Sequence, residues 1–288
     1  MTWRARRQKF RALLSGAGCI HPGSVWDPLS ARIAHDLGFE AGMFAGSIAS
    51  LAVLGAPDLI VLSLAELAEQ CKRICRAADF PLLVDADHGY GNALSVRRTV
   101  EELEIAGVAA LTIEDTLLPR AYGAGETAGL VSLDEGVGKM QAALDARRDP
   151  ALVILGRTSA AQLSSVDDAI ARTRAYEAAG VDGVFLVGLK SRDDLDRVAA
   201  ATRGPLLLGG APAALMDRDY LASRRVRVAL QGHAPFMAAV QAAHATLKSL
   251  RDGVAPADIK GAAPAPLMNR LTREDDYAAW TLDYLGGK

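Results

Sequence analysis

The sequence is short of four things. Aromatic residues fill 5% of its 288 positions, cysteine occurs three times, neither sign of charge prevails, and no long uncharged apolar run is present. Each scarcity excludes something. Few aromatics beside a 50% hydrophobic content require a core of small aliphatic side chains, and that content excludes a disordered chain. Cys19, Cys71 and Cys75 cannot all pair within one chain, which excludes a disulfide scaffold. Cys71 and Cys75 stand one helical turn apart, with no further Cys or clustered His to complete a zinc site. Reduced thiols of a cytoplasmic enzyme are expected. A net charge of −2 supplies no field for nucleic acid or anionic lipid, so neither is an expected partner. Without roughly 18 uncharged apolar residues in a row, no membrane span is expected either.

The N-terminal stretch is basic but lacks the apolar stretch of a secretory signal. Trp3, Phe10, Leu13 and Leu14 recur at near-helical spacing and predict a docked amphipathic helix.

The rest of the chain alternates short apolar runs with longer helical patterns. Eight runs read as strands, at 19–25, 41–45, 82–84, 109–113, 152–155, 183–187, 205–208 and 226–230. Each is nearly uniformly apolar, as a parallel strand buried on both faces must be. Helical patterns at 64–78, 94–106, 133–146 and 166–179 lie between them. Gly38, Gly107 and Gly180 recur where a helix needs a left-handed cap before a tight turn into a strand. Eight strands with crossover helices predict an α/β fold, a (β/α)8 TIM-type barrel with an additional C-terminal helical segment. An open doubly wound sheet would carry a glycine-rich phosphate turn after its first strand, and none is present. The reading is one barrel domain over 1–288, in which 254–288 is a linker and a C-terminal helix. Thr272-Arg273-Glu274-Asp275 resembles a capping box at that helix's start. Its Tyr277, Trp280, Leu282 and Tyr284 need a surface, the barrel's own or a neighbouring subunit's.

Chemistry in such barrels gathers where strands end. The second run ends at Gly46-Ser47, followed by Pro57-Asp58; the third at Asp85-Ala86-Asp87-His88-Gly89-Tyr90-Gly91; the fourth at Glu114-Asp115; the fifth at Arg157-Thr158; the eighth at Gly232-His233. Asp85 and Asp87, two apart, share one side of an extended strand. With Glu114 nearby they repel one another unless a cation intervenes. Hard oxygen ligands without cysteine favour Mg²⁺ or Mn²⁺. Asp58, Asp85, Asp87 and Glu114 exceed what one Mg²⁺ takes directly, so one direct ligand with water-mediated partners fits better. The alternative is a set of ordinary barrel-mouth charges or helix caps. Arg157 offers a planar fork for a substrate carboxylate, or for Glu114. His88 holds its turn or touches substrate, and His233 caps a helix or touches substrate.

Asp85-Ala86-Asp87-His88-Gly89-Tyr90-Gly91, then Thr112-Ile113-Glu114-Asp115 and Arg157-Thr158, resembles the isocitrate lyase/phosphoenolpyruvate mutase superfamily. Gly46-Ser47, Pro57-Asp58 and the stretch 24–32 match its pattern as well, and the resemblance spans roughly residues 10–250. It implies a Mg²⁺-dependent barrel acting on small 2-oxo acids, with Asp85 on the metal and Asp58, Asp87 and Glu114 joined to it through water. It further implies that Ser47 and the amide of Ile48 meet the pyruvyl oxygens. The family's habit of exchanging a terminal helix implies a homo-oligomer, a tetramer built as a dimer of dimers.

One departure separates the branches. The superfamily's lyases carry a Lys-Lys-Cys-Gly-His loop after the Ile-Glu-Asp motif; here 118–125 reads Leu-Pro-Arg-Ala-Tyr-Gly-Ala-Gly. The pattern Ile113-Glu114-Asp115-Thr116-Leu117-Leu118-Pro119 with Gly232-His233 looks instead like the oxaloacetate-decarboxylating branch. The resemblance thus implies Mg²⁺-dependent conversion of oxaloacetate to pyruvate and CO₂, with Arg157 and His233 orienting the carboxylates. A C–C or P–C bond lyase or mutase of the same superfamily, and a non-catalytic barrel that binds a 2-oxo acid, are the rival expectations.

Overall fold

The computed structural model describes residues 1–123, 128–210 and 212–286. They form two compact units, Met1–Gly232 and His233–Lys288. In the first, α1 (Trp3–Ser15) precedes an alternation of strand and helix: β1 (Gly23–Ser24), α2 (Pro28–Asp36), β2 (Gly42–Phe44), α3 (Leu64–Ala77), β3 (Leu82–Asp85), α4 (Ala93–Ile105), β4 (Ala110–Glu114), α5 (Leu133–Ala146), β5 (Val153–Thr158), α6 (Val166–Ala179), β6 (Gly183–Val187), α7 (Arg192–Ala201), β7 (Leu206–Gly209), α8 (Arg218–Ser223) and β8 (Val226–Ala229). All neighbours pair in parallel in the order β1 to β8. Ile20, just ahead of β1, bridges Val228 of β8, so the curled sheet returns to its first strand. The expected (β/α)8 architecture is present; β1, β2 and β8 are shorter than the apolar runs that announce them, while β3 and β5 extend past theirs into the polar residues of the strand ends.

The composition explains the core. β3 and β4 bury every residue, and the large side chains with no exposure are mainly Leu and Ile, joined by Phe10, Phe44, Met140 and Tyr176. Gly107 and Gly180 end α4 and α6 at φ 93° and 102°, a conformation that costs a side-chain-bearing residue roughly 1 kcal/mol or more. α1 uses its basic residues inward. Arg7 donates to the carbonyls of Val108 and Glu104 and pairs with Asp149, while Arg11 donates to those of Ala151 and Leu152. The helix therefore covers the end of the barrel where β4 and β5 begin, opposite the carboxylates. Phe10 and Leu14 lie buried on its inner face, as the spacing predicts.

The second unit contains α9 (Ala234–Arg251), α10 (Ala265–Thr272) and α11 (Glu274–Leu285). Thr272 does not cap α11. Its hydroxyl donates back to the Met268 carbonyl and closes α10, and Arg273, at φ 61°, makes the turn between the helices. A threonine in the last turn of a helix finds the carbonyl four residues back before it can serve a later amide.

Candidate active site

Strand ends β2 to β5 bring the acids together. Asp85 closes β3; its Oδ1 accepts from the Asp87 amide at 3.2 Å and from Thr112 Oγ1 at 3.1 Å. Glu114 closes β4 and stands in register with Arg157 of β5. Arg157 Nη1 donates to Asp85 Oδ2, while its Nε lies 3.1 Å from Glu114 Oε2, a charge contact whose angle misses hydrogen-bond geometry. The guanidinium also lies 5.8 Å from the ring centroid of Phe185. The reading of Arg157 as a partner of Glu114 is met, and Asp85 is a second partner.

Asp87 depends on its neighbours' backbones. Its φ of 48° is left-handed, and the Glu114 amide donates to its carbonyl at 2.9 Å. A Cβ built on Gly46 would stand 2.3 Å from Asp87 Oδ1. The carboxylate rests on the bare Cα of Gly46, so glycine at this position is a packing requirement. Gly46→Ala should push Asp87 out of place and lower activity up to about 100-fold, the scale of a displacement of about 1 Å within a site. Turnover and melting temperature measured together check this; full activity in a folded variant would contradict it.

The charges are unbalanced. Burial works against ionisation of Asp85, yet the adjacent Arg157 guanidinium holds its carboxyl below the ordinary range. Burial pushes Asp87 well above that range, and Asp85, Glu114 and Asp58 repel its charge further. Glu114 is pushed up to about 7, by burial first and then by Asp85, against the pull of Arg157. Asp58, in the exposed loop after β2, is raised by its burial and by Asp85. Four acids that resist joint ionisation present hard oxygen donors to a divalent cation, and the residues fit one. Among the described residues no three His, Cys, Asp or Glu side chains converge tightly enough to hold an ion alone.

The remaining expected residues fall as follows. Ser47 and Ile48 lie in the short helical turn Gly46–Ala49 that follows β2. His88 is 4% exposed beside Tyr90, their rings 6.0 Å apart. Burial first, then the charge of Lys139, lowers its pKa to about 4, so it is neutral and packed within its turn. His233 opens the second unit as the residue before α9, where its side chain makes no cap bond to the helix. In the loop after Asp115, residues 124 and 125 lie outside the described residues, whereas Tyr122 is fully exposed.

Sequence reasoning missed Lys139, buried on α5, whose ammonium is disfavoured by burial and favoured by Glu135, Glu114 and Asp115. A lysine in the stripe Gly136, Met140, Ala143 was the available signal. It also missed Thr112, an apolar-looking strand position whose hydroxyl holds Asp85.

A closed parallel barrel with an arginine-clamped carboxylate cluster at its strand ends defines a class of α/β-barrel enzyme with a cation-suited mouth. The phosphoenolpyruvate phosphomutase family model matches residues 10–251, and the chain belongs to that family. It is 62% identical, over all 288 residues and the full length of both chains, to an oxaloacetate decarboxylase of Bradyrhizobium diazoefficiens. It is similar to the structure of oxaloacetate acetylhydrolase with 3,3-difluorooxalacetate (TM-score 0.86, 30% identity, 99% and 98% of the two chains). A phosphonopyruvate hydrolase complexed with oxalate and Mg²⁺ is similar too (TM-score 0.86, 27% identity, 99% and 100%).

Proposed function

We propose that this protein is a carbon–carbon lyase that decarboxylates oxaloacetate to pyruvate and CO₂ in the cytoplasm, with Mg²⁺ or Mn²⁺ as cofactor. The observation that carries the reading is the cluster of Asp85, Asp87 and Glu114, two of whose acids, Asp85 and Glu114, Arg157 grips, in a chain alike over its whole length to decarboxylases of that substrate. Asp85 would hold the cation directly, with Asp58, Asp87 and Glu114 joined through water. Bound there, a divalent cation supplies Lewis acidity toward the 2-oxo group. Arg157 orients a substrate carboxylate with its fork. Ser47 and the Ile48 amide donate toward the oxygen on which charge grows as the C3–C4 bond breaks. His233, four residues after β8 in the chain, is assigned to a substrate carboxylate on chain order and resemblance. Loss of CO₂ needs neither a nucleophile nor an initial proton abstraction. The electron pair left on C3 then takes a proton from water. Coupled measurement of pyruvate release, before and after EDTA and after Mg²⁺ is returned, tests the whole reading. Full turnover in chelator would remove the metal from it.

The cation's affinity should rise with pH through the region near 7. A carboxyl must lose its proton to serve a cation, and Glu114 keeps its proton up to about 7. Calorimetric titration with Mn²⁺ at about pH 6 and about pH 8 should find tighter binding at the higher pH; the reverse order would contradict the role of Glu114.

For the assembly we propose a homotetramer, a dimer of dimers, made from single barrel domains spanning 1–288 whose segment 254–288 packs on a neighbouring subunit. Trp280 and Tyr284 of α11 are 48% and 78% exposed, and Met237, Val240 and Leu247 of α9 are exposed as well. Large apolar side chains gathered on one unit mark an association surface. A chain ended at Gly253 should sediment as a smaller species, and an unchanged oligomer would count against the idea.

A further inference from the structure

Behind the Glu114–Arg157 pair lies a buried cluster that the proposed reaction does not use. Asp115 has no exposure; its Oδ2 accepts from Tyr176 Oη at 2.7 Å and from Arg172 Nη1 at 3.1 Å, while its Oδ1 has no hydrogen-bond partner. Arg172 is tethered in turn by Asp168, one turn back on α6, at 3.1 Å. Two glycines make room for Tyr176. A Cβ on Gly136 of α5 would stand 2.4 Å from its hydroxyl, and one on Gly156 of β5 would stand 3.0 Å from its ring. Gly156 immediately precedes Arg157, and Asp115 immediately follows Glu114. The Asp115 amide donates to the Arg157 carbonyl at 3.2 Å, which locks the two strand ends together. Tyr176 therefore touches both strands one residue away from a charged group of the site.

We propose that Tyr176, supported by Arg172, is a positioning residue of the active site. Its hydroxyl fixes Asp115 and its ring fixes Gly156, and together they set where the Arg157 guanidinium stands relative to Glu114 and to a substrate carboxylate. The proposal rests on the reading of Arg157 as a carboxylate contact. The packing supports a task beyond filling space. A phenylalanine would fill almost the same volume, whereas only the hydroxyl reaches an acid that already lacks a partner on its other oxygen. Buried polar groups left without partners relax by moving, and here the nearest movable element is the end of β4. A displacement of about 1 Å at a reacting centre costs roughly 10²-fold.

The test is binding of oxalate, measured by calorimetry in saturating Mg²⁺, to the wild type, Tyr176→Phe, Arg157→Lys and the double variant, with a melting temperature for each. Tyr176→Phe and Arg157→Lys should each weaken oxalate about tenfold, and the double variant should bind no worse than Arg157→Lys alone within about twofold, because residues acting through one another do not add. A tyrosine that merely supports the fold would lower the melting temperature and leave oxalate affinity unchanged, or would add its loss to that of Arg157→Lys; either result overturns the proposal. Should Tyr176→Phe fail to fold, Arg172→Lys, which keeps the charge but withdraws the fork from Asp115, takes its place in the same cycle with the same expectation. Unchanged oxalate binding in Arg157→Lys would overturn the reading of Arg157 and this proposal with it. A weakened Arg157→Lys beside an unaffected Tyr176→Phe would overturn this proposal alone.

Discussion

Asp85→Ala should lower pyruvate formation by about 10³-fold or more, while Asp58→Ala should lower it by about 10- to 100-fold. The first figure follows from the several kcal/mol that a Lewis acid supplies, at 1.36 kcal/mol for each tenfold. The second is the usual scale for an outer partner. The two acids differ in how they are held. Asp85 is buried at the end of β3, fixed on one oxygen by Thr112 and the Asp87 amide and on the other by Arg157. Asp58 stands in a loop, and its carboxyl is raised by burial and by the charge of Asp85. Direct binding suits a group that stays ionised and rigid, and Asp85 meets both conditions. Mn²⁺ titration of each variant supplies the second reading: Asp85→Ala should lose tight binding, and Asp58→Ala should keep most of it. A larger loss from Asp58→Ala in both measurements would reverse the assignment of the direct ligand.

Oxaloacetate should be decarboxylated at least about 10³-fold faster than 2-methylisocitrate is cleaved. A lyase acting on a hydroxy acid must take a proton from the hydroxyl and return one to the departing fragment. Positioned acid–base groups contribute about 10²- to 10⁴-fold each. Residues 118–123 supply Arg120 and Tyr122 as titratable side chains, and Tyr122 is fully exposed. A guanidinium or a phenol does not readily exchange protons near neutrality. Cys19, Cys71 and Cys75 are buried, and burial raises all three thiols, so none of them is a ready acid or base. Decarboxylation needs an electron sink and an oriented carboxylate, both of which the proposed site contains. Rates for the two substrates under identical Mg²⁺ settle the comparison. Faster cleavage of 2-methylisocitrate would overturn the reaction class and leave the fold as described.

The barrel and most of its mouth were legible because their signals are local. α5 and α6 run over 133–146 and 166–179, the stretches their periodicity marks, and Gly107 and Gly180 take the left-handed caps expected of them. β1 was harder. Only two residues pair with β2, while Ile20 turns aside to meet β8, and no apolar run reveals which neighbour its amides choose. The start of α11 misled because Thr272 had a second acceptor within its own preceding turn. The cluster behind the site was invisible for a different reason. Asp115 and Tyr176 are 61 positions apart, and each looks ordinary alone, an acid after a strand and an aromatic in a helix. Gly136 and Gly156 acquire meaning only when a hydroxyl and a ring are found against them.

The arginines of α1 impose an order on synthesis. Arg7 reaches Asp149 across 142 positions and Arg11 reaches the Leu152 carbonyl across 141, so the first helix emerges from the ribosome long before its anchors exist. The Glu104 and Val108 carbonyls become available to Arg7 after little more than a third of the chain, but until about half has been made Arg11 can find only water or temporary partners. The pairing of Ile20 with Val228 comes later still, when about four-fifths of the chain is outside. An interrupted translation product therefore carries a basic helix without its seat and a sheet with two open edges, a form suited to capture by chaperones or to degradation.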